Sequence, residues 1–121
     1  KMQNNIYMVG NKPFTQKFEL FKSSKVFLFQ SHYESYGIVA LEAMACKLPV
    51  VAYDLAEHRV NFPKGMIRVP FGDNKAFAEK TIELLENTEM HDKYSKEAYE
   101  FASNADWEIV ADELLEKIKV S

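Results

Sequence analysis

The sequence predicts an α/β protein, a parallel sheet of about four strands with helices on both faces. Short runs that are apolar throughout alternate along the chain with amphipathic segments, and strands without polar alternation suit a sheet that is covered on both sides. The 121 residues have the size of one domain, and a hydrophobic content of 47% is enough for a core. We therefore expect one Rossmann-like domain over residues 1–121, with right-handed crossovers between its strands.

Four short runs predict the strands, of which the first three are apolar throughout and the fourth, weaker one contains Arg68. Each run contains four residues and is followed by a polar or turn-forming residue, as expected at the end of a buried strand. Gly10 follows the first run, and Pro70 follows the last. The predicted strands cover residues 6–9, 26–29, 50–53 and 66–69.

Apolar residues at intervals of three and four predict the helices. Asp73 is a good N-cap for the longest of them, in which Phe77, Thr81, Leu84 and Leu85 share a face. The segment after Gly37 is rich in the strong helix formers Ala, Leu, Glu and Met. The predicted helices cover residues 15–23 (with Phe14, Phe18 and Phe21 toward the core), 38–46, 74–86 and 90–102, and a last helix follows Asp106 with Trp107, Val110, Leu114 and Ile118 on one side.

Composition excludes several classes of protein. A single cysteine excludes a disulfide scaffold and a cysteine-based zinc site. No apolar run approaches the roughly 18 residues that a membrane-spanning helix needs. The formal net charge is −3 and no dense Lys/Arg stripe is present, so no nucleic-acid partner is expected. The three histidines lack metal-ligand spacing, which argues against a metal site.

The charges are distributed unevenly along the chain. Residues 1–72 contain nine Lys/Arg and five Asp/Glu, a net charge of +4, whereas residues 73–121 contain six and thirteen, a net charge of −7. The first part is therefore predicted to face an anion, and the second part reads as solvated helical surface.

The carboxyl ends of the strands select the candidate site, because ligands of open parallel sheets bind there. This rule selects the loops 10–14 and 31–37. The second loop leads to Gly37, where a residue without a side chain lets a ligand approach the backbone. The amides of Gly37, Ile38 and Val39 would then form an anion site at a helix N-terminus, suited to a diphosphate.

Two carboxylates flank this predicted anion site. Glu34 lies on the loop, and Glu42 lies five residues into the helix, about 7.5 Å along its axis from Gly37. Carboxylates accept hydrogen bonds well, and paired hydroxyls of a sugar or a ribose are natural donors. The spacing alone leaves other interpretations open: Glu34 can complement the helix dipole, and Glu42 can be an ordinary exposed helical acid.

The block over residues 31–52 closely resembles the donor-site signature of the retaining GT-B-fold glycosyltransferases, group 1 (family four). The matching features are Ser31, the pair Glu34 and Glu42 separated by seven residues, Gly37 between them, the Glu-Ala-Met-Ala stretch over 42–45 and the Pro-Val-Val strand over 49–51. Looser similarity extends over residues 6–118. Two positions depart from the signature: Lys47 stands where the family commonly has glycine, and residues 55–60 replace its usual Gly-Gly pair and following glutamate.

The resemblance implies the C-terminal, donor-binding domain of a two-domain enzyme that transfers a sugar from a nucleotide diphosphate to an acceptor hydroxyl with retention of configuration. Glu34 would be the catalytic residue that contacts the donor sugar hydroxyls near the reacting carbon, and Glu42 would bind the ribose. The family's acceptor-binding N-terminal domain and phosphate-binding Arg/Lys pair would precede Lys1. The remaining implied contacts are Ser35, Tyr36, Gly37, Ile38 and Val39 for the donor sugar and diphosphate, and Asn11, Lys12 and Pro13 for the region of the base.

The same resemblance implies the substrate, the cofactor requirement, the partners and the cellular location of the reaction. A nucleotide-diphosphate sugar is the substrate, no metal or other cofactor is required, and the partners are an acceptor of unknown identity and the chain's own N-terminal domain. The enzyme would act in the cytoplasm, in polysaccharide or glycolipid biosynthesis, with peripheral association at the inner face of the membrane. A chain without the acceptor domain would be inactive. The alternative is a non-catalytic nucleotide-sugar-binding or interaction module with the same fold.

Overall fold

A computed structural model describes residues 14–30, 37–108 and 111–112 of the chain. Helices and strands alternate as far as the third strand, after which two helices follow in succession. In chain order the elements are α1 (Phe14–Ser23), β1 (Phe27–Phe29), α2 (Ile38–Ala45), β2 (Val50–Tyr53), α3 (Ala56–Asn61), β3 (Met66–Val69), α4 (Asn74–Glu86) and α5 (Thr88–Ser103).

The three described strands form one parallel sheet in the order β1-β2-β3. Phe29 pairs with Ala52, and Ala52 in turn pairs with Arg68, so the carboxyl ends of the strands lie at one edge. Parallel neighbours require a crossover, and α2 and α3 supply the two crossovers. The α/β fold class and the last three predicted strands are thus confirmed, whereas the strand predicted at 6–9 lies outside the described residues.

Two apolar clusters cover the two faces of the sheet. On one face, the side chains of Val50 and Ala52 pack with α2 and α5, and on the other, those of Val51 and Tyr53 pack with α4. All four residues of β2 are buried, as expected for a strand between two helical layers. The prediction of helices on both faces is therefore confirmed.

Two apolar residues are more exposed than the sequence predicts. Leu28 in β1 is 50% exposed, so this strand is not covered on both faces along its length. Leu85 is 47% exposed although Phe77 and Leu84 are buried. One residue step turns a helix by about 100°, so Leu85 points away from the face that Leu84 shares with Phe77. The prediction that Leu85 shares a face with Phe77, Thr81 and Leu84 is therefore wrong at Leu85, whereas Phe77 and Leu84 are buried and Thr81 is half-buried.

Side-chain N-caps fix where the long helices α4 and α5 begin. Asp73 Oδ1 accepts a hydrogen bond from Ala76 N at 2.9 Å, which confirms the predicted N-cap of α4. Asn87 Oδ1 accepts one from Met90 N at 3.0 Å and starts α5 at Thr88, two residues earlier than predicted. Trp107 is helical as predicted, and Val110, Leu114 and Ile118 lie outside the described residues.

Lys47 closes α2 in a conformation that usually selects glycine. Its φ of 67° is left-handed, its N–H donates to Met44 O, and Leu48 N–H donates to Ala43 O. This is the Schellman pattern of a helix C-terminus, with a lysine in the position where glycine is commonest. Lys47 O accepts a hydrogen bond from Ser95 Oγ at 2.6 Å, and its ammonium lies 5.2 Å from the centre of the Tyr99 ring. Contacts from α5 therefore hold the less common cap that the departure from the family signature predicts.

Candidate functional site

The candidate site lies at the carboxyl edge of the sheet, where α2 begins. Gly37, Ile38, Val39 and Glu42 are the predicted site residues that the structure describes. The others lie outside the described residues, so their predicted roles stay predictions: Asn11, Lys12, Pro13, Glu34, Ser35 and Tyr36.

Gly37 is the N-cap of α2 and has a left-handed backbone, with φ 82°. A Cβ at this position would lie 3.0 Å from Phe62 Cε2 and 3.4 Å from Phe29 Cε2. A side chain here would therefore be both strained and crowded. The structure thus adds a second reason for glycine, since two aromatic rings pack directly against the start of the helix.

The first turn of α2 presents its amides at this edge. Gly37 O accepts hydrogen bonds from Ala40 N at 3.0 Å and from Leu41 N at 3.2 Å. The amides of Ile38 and Val39 therefore precede the hydrogen-bonded ladder of the helix. These N–H groups and the positive end of the helix dipole favour an anion.

Glu42 is buried, with 9% of its surface exposed, between apolar neighbours on α2. Its carboxylate pairs with Lys17 of α1, whose Nζ lies 3.0 Å from Oε2 and 3.1 Å from Oε1. The interpretation of Glu42 as an ordinary exposed acid is therefore wrong. Sequence reasoning missed Lys17, because it lies 25 residues away and carries no local signal; only the need of a buried acid for a cation points toward it.

The segment that departs from the family signature forms α3 and an ion-pair cluster beside the same edge. Arg59 Nε and Arg68 Nε lie 3.3 and 3.7 Å from Asp54 Oδ1, and Arg68 also donates to Phe62 O at 2.8 Å. These contacts tie the end of β2 to α3 and β3. The cluster therefore fixes the loop that follows β2.

His58 is the one polar residue of α3 that is fully buried among the described residues, at 1% exposure. Its Nδ1 lies 2.9 Å from Tyr53 O, so Nδ1 is the nitrogen that carries the proton in that bond. The ring lies 5.3 Å from the Phe29 ring and 6.2 Å from the Phe62 ring, which both pack beneath Gly37. His58 thus supports the rings on which the start of α2 rests, a role that no sequence signal indicates.

Cys46 is the C-cap of α2 and is half-buried. Burial raises the pKa of Cys46 above its ordinary value, and the nearby Lys22 and Glu42 act on it in opposite directions, Lys22 lowering and Glu42 raising it. A raised thiol pKa leaves less thiolate at neutral pH, and the thiolate is the nucleophile.

The described ranges contain neither a metal-ligand cluster nor a membrane-spanning helix. No cluster of three or more His, Cys, Asp or Glu side chains there has the arrangement of a metal site. No helix within residues 14–30 and 37–108 combines the length and apolarity needed to cross a membrane. The independence from metal ions and the location at the inner face of the membrane stay predictions.

Comparisons with known proteins agree on one family. The model of the family described as "Glycosyl transferases group 1" matches residues 1–101. A phosphatidyl-myo-inositol mannosyltransferase of Mycobacterium leprae is 38% identical over 84 residues, which are 68% of this chain and 22% of the relative. The capsular polysaccharide biosynthesis glycosyltransferase CapM of Staphylococcus aureus is 30% identical over 115 residues, 88% of this chain and 30% of the relative.

A solved structure shares the fold. The crystal structure of TarM superposes with a TM-score of 0.75 at 23% identity, over 94% of this chain and 23% of that chain. The chain thus spans between about a fifth and a third of the length of these proteins.

Proposed function

The chain belongs to the family of group 1 glycosyl transferases, whose model matches residues 1–101, and from that membership we propose the function of its site. The resemblance predicted from residues 31–52 is confirmed at the level of the family. In our proposal, residues 1–121 are the donor-binding domain of an enzyme that moves a sugar from a nucleotide diphosphate to an acceptor hydroxyl with retention of configuration. An acceptor-binding N-terminal domain is part of the same proposal.

The observation that carries the proposal is the buried carboxylate of Glu42, 9% exposed, five residues after the N-terminus of α2. A buried ion pair in an otherwise apolar helix contributes little to stability, because desolvation offsets the attraction between the charges. Ligand binding explains the buried charge better, because an ionised carboxylate accepts strong hydrogen bonds from paired hydroxyls. The ribose of the donor, with its diphosphate on the amides of Ile38 and Val39, fits this spacing.

The proposed rate enhancement comes from positioning and from electrostatics. The amides of Gly37, Ile38 and Val39 hold the diphosphate and stabilise the charge that develops on it as the glycosidic bond breaks. Glu34 contacts the sugar hydroxyls beside the reacting carbon, with Ser35 and Tyr36 in the same loop. These contacts fix the donor against the acceptor hydroxyl.

The remaining parts of the proposal rest on the family resemblance. Asn11, Lys12 and Pro13 lie near the base, and the acceptor is left open. The relatives named above act in different pathways by their names, a phosphatidyl-myo-inositol mannosyltransferase and a capsular polysaccharide enzyme. A cytoplasmic reaction at the inner face of the membrane, in polysaccharide or glycolipid synthesis, is compatible with both names.

The test uses the full-length protein and a panel of nucleotide-diphosphate sugars, with transfer or donor hydrolysis as the readout. Glu34→Gln is expected to lower kcat by at least about 100-fold, because it removes a charge beside the reacting carbon. Glu42→Gln is expected to lower kcat/KM about 10- to 100-fold, the worth of a hydrogen bond to a charged group. Glu83→Gln, on the exposed side of α4, is the matched control and is expected to keep wild-type rates.

The outcomes separate the two candidate functions. Wild-type activity in both variants of the glutamate pair would contradict the site. Donor binding without transfer or hydrolysis by the wild-type protein would favour the alternative, a non-catalytic nucleotide-sugar-binding or interaction module. Configuration at the anomeric carbon of the product, measured by NMR, tests retention separately.

A further inference from the structure

Lys17 is a basic residue on a different helix from the rest of the described site, and no sequence pattern assigns it a role. Its ammonium joins α1 to the buried carboxylate on α2, across 25 residues of sequence. We propose that Lys17 is a positioning residue that holds the Glu42 carboxylate for the two ribose hydroxyls of the donor. This inference rests on the proposed function, because it assumes that Glu42 binds a ribose.

The geometry of the pair leaves acceptor positions on the carboxylate for those hydroxyls. Lys17 Nζ contacts both carboxylate oxygens of Glu42, at 3.0 Å from Oε2 and 3.1 Å from Oε1. An ionised carboxylate has about four lone-pair positions, and this arrangement uses two of them. The other two positions are on different oxygens, as a pair of neighbouring hydroxyls requires.

Because the Glu42 carboxylate is buried, its orientation by Lys17 affects how well it can bind a ribose. The Glu42 side chain is 12% exposed and the Lys17 side chain 35% exposed, so the pair is dry on the side of the acid and reaches water on the side of the cation. A Glu side chain has several rotamers, and fixing it before binding removes an entropic cost that the ligand would otherwise carry. Lys17 therefore acts on ribose binding through Glu42 and not by its own contact with the nucleotide.

A contribution to protein stability does not explain why the Lys17–Glu42 ion pair is present. Leucine or methionine at position 42 would suit α2, whose neighbouring residues Leu41, Ala43 and Met44 are fully buried. Replacement of a buried ion pair by apolar residues is often neutral or stabilising. The retained acid and its cation thus indicate a role in binding.

The experiment measures how strongly the full-length protein distinguishes ribose hydroxyls. Dissociation constants are measured by calorimetry for UDP, GDP and ADP and for their 2′,3′-dideoxy counterparts, on wild type, Lys17→Met and Lys17→Arg. For the nucleotide that binds wild type, the dideoxy form is expected to bind at least about tenfold more weakly. In Lys17→Met this ratio is expected to fall below about threefold, and Lys17→Arg is expected to recover part of it.

Lys22→Met is the matched control, because Lys22 is on the same helix and forms only an exposed pair with Glu19 at 4.0 Å among the described contacts. It is expected to keep the wild-type ratio. Kinetics give a second readout: loss of Lys17 should raise the donor KM and leave kcat within about threefold, as expected for binding that is equal in the ground and transition states.

The other possible results of the binding experiment would overturn either this inference or the proposed function. Equal weakening of the ribose and dideoxy forms by Lys17→Met would overturn the inference, since Lys17 would then bind another part of the nucleotide or merely support the fold. An unchanged ratio with a lowered Tm would overturn it as well, in favour of a structural role. Failure of wild type to bind any of the nucleotides would instead overturn the proposed function, and this inference with it.

Discussion

Helices α2 and α4 pack on opposite faces of the same sheet, and their acidic residues have opposite environments. Glu42 of α2 is 9% exposed and pairs with Lys17 at 3.0 Å, whereas Glu83 of α4 pairs with Lys80 at 3.2 Å with both side chains more than 40% exposed. The two ion pairs have similar lengths but different energetics, because water screens the pair on α4. An ion pair in this fold is therefore informative about function only where it is buried.

The same contrast explains the uneven charge of the sequence. The acidic residues of α4 and α5 belong to helices with few buried positions, Phe77 and Leu84 in α4 and Ala98 and Ala102 in α5. Their net negative charge lies on solvated surface, as the sequence predicts. In the first part of the chain, Lys17, Arg59 and Arg68 instead pair with acids near the carboxyl edge of the sheet.

The largest expected effect comes from comparing Gly37 of the candidate site with Gly65, which lies in the bend before β3 and packs against α5. Gly65 has φ +80°, and a Cβ there would lie 2.6 Å from Ala98 Cα, which is backbone of α5 and cannot move aside cheaply. Gly65→Ala is expected to lower the free energy of unfolding by about 3–5 kcal/mol, the sum of left-handed strain and overpacking. Gly37→Ala is expected to cost about 2–3 kcal/mol, because ring edges give way more easily than backbone.

Nucleotide affinity is expected to distinguish the two variants more sharply than stability does. Gly37→Ala is expected to weaken nucleotide binding, since it displaces the start of α2, whereas the folded fraction of Gly65→Ala keeps wild-type affinity. Gly72→Ala is the control for strain alone, with φ +78° and nothing within 4 Å of the added Cβ, and should cost about 1–2 kcal/mol. Urea unfolding and nucleotide titration measure both quantities. Wild-type nucleotide affinity in folded Gly37→Ala would remove this glycine from the site.

The second largest expected effect is that removal of the buried ion pair raises protein stability and weakens nucleotide binding. The double variant Lys17→Met/Glu42→Leu replaces the buried pair by apolar residues and is expected to raise the free energy of unfolding by roughly 1–2 kcal/mol. The gain lies at the low end for such replacements because the Lys17 side chain is already 35% exposed. Binding of the ribonucleotide should fall by at least about tenfold.

The matched double variant on α4 is Lys80→Met/Glu83→Leu. Its stability should change by less than about 1 kcal/mol and its nucleotide binding should not change, because an exposed pair contributes little. A large loss of stability in the α2 variant would show that the buried pair supports the fold, and the contrast between the two helices would then fail.

Much of the fold was predictable because its signals are local. Strands β1 and β2 lie within runs that are apolar throughout, and Asp73 caps α4 as its position indicates. Periodicity misplaced Leu85, because a residue adjacent to a buried one was assigned to the same face. The exposure of Leu28 depends on which elements cover β1, and this is a property of the tertiary structure that a run of apolar residues does not record.

The family of the chain was predictable from the sequence, whereas the contacts within the candidate site were predictable only in part. The signature over 31–52 selects Gly37 and Glu42, and a glycine between two candidate ligands is visible in the sequence. The contacts of Gly37 with Phe29 and Phe62, and of Glu42 with Lys17, join residues 8 to 25 positions apart, and no spacing rule links such pairs. Long-range packing therefore supplies the information that the motif lacks.

The smallest expected effect uses Cys46, which lies where α2 ends and reports the charges around it. Because burial raises the pKa of Cys46 above its ordinary value of 9.0, iodoacetamide should modify the folded protein more slowly at pH 8 than the urea-unfolded chain. Lys22 lowers this pKa and Glu42 raises it, so Lys22→Met should slow the reaction and Glu42→Gln should speed it, while Lys80→Met on α4 should do neither.

The same pKa shift fixes the sign of a pH effect on stability. The folded protein holds the thiol proton more tightly than the unfolded chain, so the contribution of Cys46 to stability is complete below the unfolded pKa and is lost as pH rises through the folded pKa. Cys46→Ala should therefore flatten the decline of stability above about pH 9, measured by urea unfolding at a series of pH values. Equal alkylation rates for the folded and unfolded protein would contradict the effect of burial on the pKa of Cys46.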